Sequence, residues 1–241
     1  MNLAQLSTGA AVGLLCCGDS QGSCFLITYR ERNYLVTDYH VLFRKRDNNP
    51  YADHVTVNFY TQESTINTVL RIMFKMSNVR KVSSPSSDLA IVEITDEANK
   101  FEYENGSSQD LYFLSLATPE YSQLWGSQVL ILGHPTSLKK EVPFTLKPFL
   151  SAGIVSSYDI EAQKFIINIP AYYGNSGGPV LMINSEREVE VVGIIQNIII
   201  FNLEWKNRYE QGMSRTDWHN SGYTICRDVL NIKSLIETLY Q

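Results

Sequence analysis

Apolar residues along this chain come in short runs divided by polar, turn-forming stretches. In the first half the runs are "AVGLLCC", "SCFLITY", "NYLVTDYHVL", "HVTVNFY", "INTVLRIMF" and "LAIVEI". "HVTVNFY" alternates cleanly. Val55, Val57 and Phe59 fall on one face and Thr56, Asn58 and Tyr60 on the other, the period-two pattern of a half-buried strand. "GDSQG" between the first two runs predicts a hairpin turn. The runs are β-branched, and too short and closely spaced for a helical domain.

Residues 96–109, "DEANKFEYENGSSQ", are acidic and turn-rich and predict a long loop; "LYFLSLATPEYSQLW" then predicts a connecting segment. Strand-like runs resume as "SQVLILG", "PFLSAGIVSSY", "KFIINI", "PVLMI" and "EVEVVGIIQNIII". Residues 201–222 are polar and aromatic and predict loops. At the end, Val229, Leu230, Ile232, Leu235, Ile236 and Leu239 fall near helical spacing behind Asp228, which predicts one amphipathic helix. About a dozen short strands split by a mid-chain link predict an all-β protein of two small antiparallel barrels. A doubly wound sheet lacks its crossover helices here. The expected division is residues 1–115, residues 116–225 and a terminal helix at 226–241, together one functional domain.

Composition narrows the classes. The 241 residues are 44% hydrophobic and 19% charged, which is ordinary for a cored globular chain. The net charge of −5 argues against nucleic acid as a partner, and the basic cluster at 44–46 reads as a solvated loop. No basic residue precedes the N-terminal apolar stretch, and "VVGIIQNIIIF" is too short and too interrupted to span a bilayer. The expectation is a soluble, cytoplasmic chain with no membrane partner. Cys16 and Cys17 are adjacent, Cys24 is close and Cys226 distant, so the four cysteines form neither a disulfide framework nor a C-x-x-C metal pair. They read as core thiols.

Candidate chemistry centres on "AYYGNSGGPV", where three glycines, an asparagine and a proline surround Ser176. A serine nucleophile needs a base, a group to hold the base, and donors for the developing oxyanion. Of four histidines, His40 ends an apolar strand in "YLVTDYHVL". His54 and His219 read as surface imidazoles, and His134, between Gly133 and Pro135, as a turn residue. Among the carboxylates, Asp88 in "PSSDLAIVEI" is the last polar residue before an apolar strand, where burial and hydrogen bonding are available.

These three segments, in the order His40, Asp88, Ser176, resemble the trypsin/chymotrypsin superfamily of serine proteases. "TDYHV", "SDLAIVEI" and "GNSGGPV" are similar to its histidine, aspartate and serine motifs. The resemblance runs over about residues 10–227. "ILGHP", "SAGIVSS" and "VVGIIQN" resemble segments of its HtrA (Deg)-type, bacterial-style branch. It implies two antiparallel six-stranded barrels, the first carrying His40 and Asp88 and the second Ser176. It implies Ser176 as nucleophile, His40 as general base and Asp88 as its orienting partner, with Gly174 and Ser176 N–H groups as the oxyanion hole. No cofactor and no metal are needed. The substrate is a protein or peptide.

Departures from the family pattern carry expectations too. Asn175 replaces the aspartate that a newly cut N-terminus captures in digestive members, so control is expected from a partner or substrate that orders the oxyanion loop. The pocket is expected from Pro170, Ala171, Gln196, Asn197 and Ile198. No acid lies at its base, which points to an uncharged side chain before the cut rather than Lys or Arg. Tyr172 and Tyr173 either narrow the entrance or pack locally. Trp205, Trp218, Arg208 and Arg215 are residue types that anchor interfaces or pack locally. By analogy the target set is narrow, as for an effector in a bacterial defence or stress module. The competing reading is a silent pseudoprotease that only binds. An esterase-like hydrolase using the same triad ranks last, because G-x-S-x-G is not matched and the Ser-first order is absent.

Overall fold

The computed structural model describes residues 10–63, 66–95, 101–118, 124–138, 147–206 and 214–241. Among the described residues, fifteen strands are hydrogen-bonded into one continuous system. The first group is β1 (Val12–Cys17), β2 (Ser20–Tyr29), β3 (Arg32–Asp38), β4 (His54–Glu63), β5 (Ile66–Lys75), β6 (Lys81–Ser84), β7 (Leu89–Glu93) and β8 (Phe101–Glu104). They pair in the order β6-β7-β3-β2-β1-β4-β5-β8, all antiparallel. β9 (Leu114–Leu116) then bridges the halves, parallel to β2 on one side and to β14 on the other. The second group is β10 (Gln128–Gly133), β11 (Phe149–Asp159), β12 (Lys164–Ile167), β13 (Pro179–Ile183), β14 (Val189–Lys206) and β15 (Ser214–Asp228). Its pairing β10-β11-β12-β15-β14-β13 returns to β10 and closes a six-stranded barrel.

The alternation read from "HVTVNFY" is present: Val55, Val57 and Phe59 are buried in the first core together with Leu15, Leu35 and Ile72. A separate core fills the closed barrel, with Val129, Ile131, Val155, Phe165 and Ile195 among its members. A third joins the two halves. It combines Phe25, Val36 and Ile91 with Leu132, Leu181 and Ile194, and takes in Ile232 and Ile236 of the C-terminal helix. That helix, Val229–Glu237, begins as predicted at Asp228, whose carboxylate accepts the Leu230 N–H at 2.7 Å and caps the first turn. Burial of Val229, Ile232 and Ile236 holds it down, at roughly 2 kcal/mol per side chain. No helix among the described residues is long and apolar enough to cross a membrane.

Two local expectations are corrected. Residues 201–206 and 214–222 are not loops, because β14 and β15 continue as a two-stranded ribbon whose register runs from Ile198↔Thr224 to Lys206↔Ser214; the rest of the predicted loop lies outside the described residues. Ile200, Phe201, Leu203 and Trp218 are exposed on it. With both faces in solvent there is no buried side to impose a period of two, so only the β-branched and aromatic content marked the strands. Trp218 is therefore a ribbon residue. Arg208 and the side chains of Trp205 and Arg215 lie outside the described residues. The predicted 96–109 loop also contains β8 and a 3-10 turn at Ser108–Asp110.

None of the four cysteines forms a disulfide. Cys17 Sγ faces the carbonyls of Leu42 and Ala52, and Cys24 Sγ that of Gly13. Burial pushes both thiols, and that of Cys226, above the usual range.

Candidate active site

Sheet pairing brings His40 to Asp88. Asp38, the last residue of β3, lies opposite Leu89, the first of β7. From there the chain folds into a single helical turn, Tyr39–Leu42, that carries His40. On the other side Asp88 closes a turn with φ of +53°, a left-handed conformation that aspartate tolerates better than most residues. That geometry turns the residue back onto the helical turn. Asp88 O accepts the Tyr39 N–H at 3.0 Å, Oδ1 accepts the His40 N–H at 3.0 Å, and Oδ2 lies 2.9 Å from His40 Nδ1. Lys45 Nζ adds a weaker contact to Oδ2 at 3.7 Å. Burial works to raise the Asp88 pKa. The His40 hydrogen bonds and charge, helped by Lys45, outweigh it and hold the carboxyl below the usual carboxylate range. With the proton on Nδ1 and donated in a hydrogen bond to the Asp88 carboxylate, Nε2 keeps a free lone pair, the form a general base needs.

Ser176 sits on a turn pressed against the segment that leads to His40. Its carbonyl accepts the Ser23 N–H at 2.8 Å. Gly177 has φ of +83°, and a Cβ there would lie 2.2 Å from Ser23 O, 2.5 Å from Thr37 Oγ1 and 3.0 Å from Asp38 N. Only glycine permits so close an approach between the serine turn and the end of β3. On the nucleophile's other side Gly174 has φ of +97° and would place a Cβ 2.3 Å from His134 O. Its peptide is fixed from both ends. Tyr173 O accepts from Ser137 N at 3.3 Å and Thr136 Oγ1 at 3.2 Å, and Gly174 O accepts from the buried Ser23 Oγ at 2.7 Å. Asn175 is buried, its N–H on Tyr172 O at 2.9 Å. Among the described hydrogen bonds neither the Gly174 N–H nor the Ser176 N–H donates to a protein acceptor, which leaves both available to an anion. Ser176 Oγ donates to Gln196 O at 3.3 Å, and no described hydrogen bond links it to His40.

The expected pocket residues divide. Ala171 is buried and accepts at its carbonyl from Asn220 Nδ2 at 2.6 Å, while its N–H donates to Thr224 Oγ1 at 3.0 Å. Ile198 is half-buried opposite Thr224. Pro170 and Asn197 are exposed, as are Tyr172 and Tyr173. Gln196 does not face the pocket: its side-chain amide reaches across to Ser87 O at 2.5 Å and Asp88 O at 3.5 Å and braces the aspartate turn. Asn220 was missed because it lies in the 201–222 stretch that reads as loop, and Thr224, just beyond that stretch, because nothing local marks its bond to Ala171. The four histidines separate clearly. His134 is buried and its N–H donates to Ser23 Oγ at 2.8 Å, His54 lies on β4, and His219 stacks on Phe201 with centroids 5.6 Å apart. A cleft lined by Gln128–Leu130, Ala152–Ile154 and Ile183 shares no residue with this site.

The sequence model of the trypsin-like peptidase domain matches residues 22–194, which include all three motif segments. The chain belongs to the trypsin-like peptidase family. It is thereby a serine protease by family. Solved structures show that this trypsin-like peptidase shares its fold with known proteases. A Glu endopeptidase, solved with MPD, is 14% identical with a TM-score of 0.63, over 100% of this chain and 96% of that one. The protease Anisep from Arthrobacter nicotinovorans is 14% identical with a TM-score of 0.59, over 97% and 96%. The HtrA-type protease AlgW, solved with a tripeptide, is 17% identical with a TM-score of 0.54, over 98% of this chain and 62% of that one. No curated protein matches the sequence.

Proposed function

We propose that the protein is a serine endopeptidase that hydrolyses peptide bonds through Ser176, His40 and Asp88 and an acyl-enzyme. The observation that carries this reading is the His40–Asp88 pair, 2.9 Å from Nδ1 to Oδ2, set beside a serine turn whose Gly174 and Ser176 N–H groups make no hydrogen bond among the described residues. Ser176 Oγ bonds to the scissile carbonyl carbon as its proton passes to His40 Nε2. The oxyanion sits on the two N–H groups. The C–N bond then breaks, and His40 gives its proton to the leaving amine. Water attacks the ester, passes a proton through His40 back to Ser176, and releases the acid. Oγ rests on Gln196 O in the free protein and must rotate to reach Nε2; catalytic hydrogen bonds commonly tighten only when substrate is bound.

Ala171, Thr224 and Ile198, joined by the Ala171–Thr224 hydrogen bond and the Ile198–Thr224 register, are all uncharged, which supports an apolar or small side chain before the cut. Control by a protein partner or by substrate has a handle in Thr136 and Ser137. Both hold Tyr173 O, so moving them rotates the Tyr173–Gly174 peptide. Four cysteines that form no disulfide favour a reducing compartment such as the cytoplasm. A fluorophosphonate probe on the purified chain tests the reading: labelling is expected, and is expected to vanish in Ser176→Ala and His40→Ala. The Ser176–Gln196 contact favours a second reading, a silent binding module. A folded protein that stays unlabelled, alone and with cell lysate, would support that one instead.

A further inference from the structure

Asp38 has no role in the mechanism above, yet it lies in the middle of the site. It is fully buried, and neither side-chain oxygen has a hydrogen-bond partner among the described residues. Its Oδ2 is 3.9 Å from His40 Nδ1, on the same ring nitrogen that Asp88 takes at 2.9 Å. Its backbone nitrogen lies under the serine turn, 3.0 Å from where a Cβ on Gly177 would sit. We propose that Asp38 is a second carboxyl group of the catalytic centre, a positioning residue that acts as an uncharged acid. It fills the dry space between the His40 imidazole and the Gly177 peptide and leaves Asp88 as the sole anion opposite Nδ1. The proposal rests on the triad reading and adds a residue to it.

The surroundings argue for the neutral form. Asp88 receives two hydrogen bonds from His40 and a contact from Lys45, whereas Asp38 receives none of these. The other charged neighbour, on β15, is Arg227. Its guanidinium is directed at carbonyls, Nη1 to Ala162 O at 3.0 Å and Nη2 to Ser86 O at 3.5 Å, and it makes no ion pair with Asp38. Also on β15, Cys226 presents a buried thiol whose pKa is raised by burial and then by Asp38. From the serine turn the Gly177 peptide faces Asp38. Burial first, and the nearby Asp88 charge second, push the Asp38 pKa well above the carboxylate range, against weaker opposing effects from Gly177, Lys45 and Arg227. Two carboxylates cannot both ionise cheaply around one imidazole, and the unpartnered one keeps its proton. An ionised Asp38 would compete with Asp88 for the Nδ1 proton and favour a charged His40, the form that cannot act as a base.

The test compares fluorophosphonate labelling rates of wild type, Asp38→Asn and Asp38→Ala between pH 5 and 10. Asn copies the shape of the neutral acid without its proton. Asp38→Asn is expected to label within about threefold of wild type at neutral pH, with the acid limb at the same pH and without any alkaline decline that wild type shows. Asp38→Ala, which empties the space, is expected to lose tenfold or more. An acid limb displaced to lower pH by one unit or more in Asp38→Asn would mean an ionised Asp38 and overturn the proposal. So would a folded Asp38→Asn that fails to label, or a folded Asp38→Ala that labels like wild type. If wild type itself does not label, the triad reading fails first. The infrared carbonyl stretch of a protonated carboxylic acid, present in wild type and absent in Asp38→Asn, still decides the charge state of Asp38.

Discussion

Gly174→Ala isolates the oxyanion cradle from the rest of the site. At φ of +97° an L-residue pays strain of about 1–2 kcal/mol. The new Cβ would also meet His134 O at 2.3 Å, Thr136 N at 2.6 Å and Thr136 Oγ1 at 2.7 Å, two of them backbone atoms. Ordinary contact begins at 3.4 Å, so the turn must shift by 3.4 − 2.3 = 1.1 Å. It is pinned against that shift by Ser23 Oγ on Gly174 O and by Ser137 and Thr136 on Tyr173 O. Losing one of those bonds adds about 1 kcal/mol, giving a stability loss of about 2–3 kcal/mol. A donor displaced by an ångström no longer meets the oxyanion at about 3 Å. One lost donor is worth about 3 kcal/mol of barrier, or 10²- to 10³-fold in rate.

The assay is the labelling or ester-acylation rate at a temperature where circular dichroism shows both proteins fully folded, with Gly126→Ala as the control. Gly126 also has positive φ, +78°, but a Cβ there meets nothing within 4 Å. The control should lose about 1–2 kcal/mol of stability and keep its rate. A folded Gly174→Ala that reacts within threefold of wild type would refute the assignment of this peptide to the oxyanion.

Four further outcomes are expected. Asp88→Asn should lower the labelling rate by about 10⁴-fold, since the imidazole loses the anion that fixes its tautomer. Because the folded Asp88 pKa is depressed, its contribution to stability is present above about pH 4 and is lost as pH falls through the folded value, so the gap in denaturant midpoint between wild type and Asp88→Asn should close on acidification. Asp38 has the opposite sign. Its folded pKa is raised, so stability relative to Asp38→Asn should be greatest below about pH 4 and decline as pH rises, by at most about 1.4 kcal/mol per pH unit, until Asp38 ionises in the folded state; a flat difference across that range would contradict a buried neutral acid. In thiol titration with an aromatic disulfide, the native protein should react quickly at Cys16 at most, while the denatured chain shows all four thiols; rapid native reaction of two or more would contradict the burial of Cys17, Cys24 and Cys226.

The sequence showed most where one physical demand dominates each position. "GNSGGPV" was legible because Gly177 must lie against Ser23 O and Gly174 against His134 O, and side chains are excluded at both. The helix after Asp228 was legible because its cap and its apolar stripe agree. What stayed hidden depends on partners distant in the chain. Nothing local distinguishes the Gln196 side chain, which leaves the pocket to brace the turn of Asp88, over a hundred residues earlier. The ribbon beyond Ile198 hides its strands because neither face is buried. Asp38 is the sharpest case. In "TDYH" it reads as an ordinary polar residue two positions before the histidine. Its character is set by where the β3–β7 pairing and the Gly177 turn place it, in a dry space shared with His40 and Asp88. The same close packing that brings Ser176 toward His40 therefore also strips a second carboxyl of water, and any variant that loosens the Gly177 contact should change the charge at the site as well as its geometry.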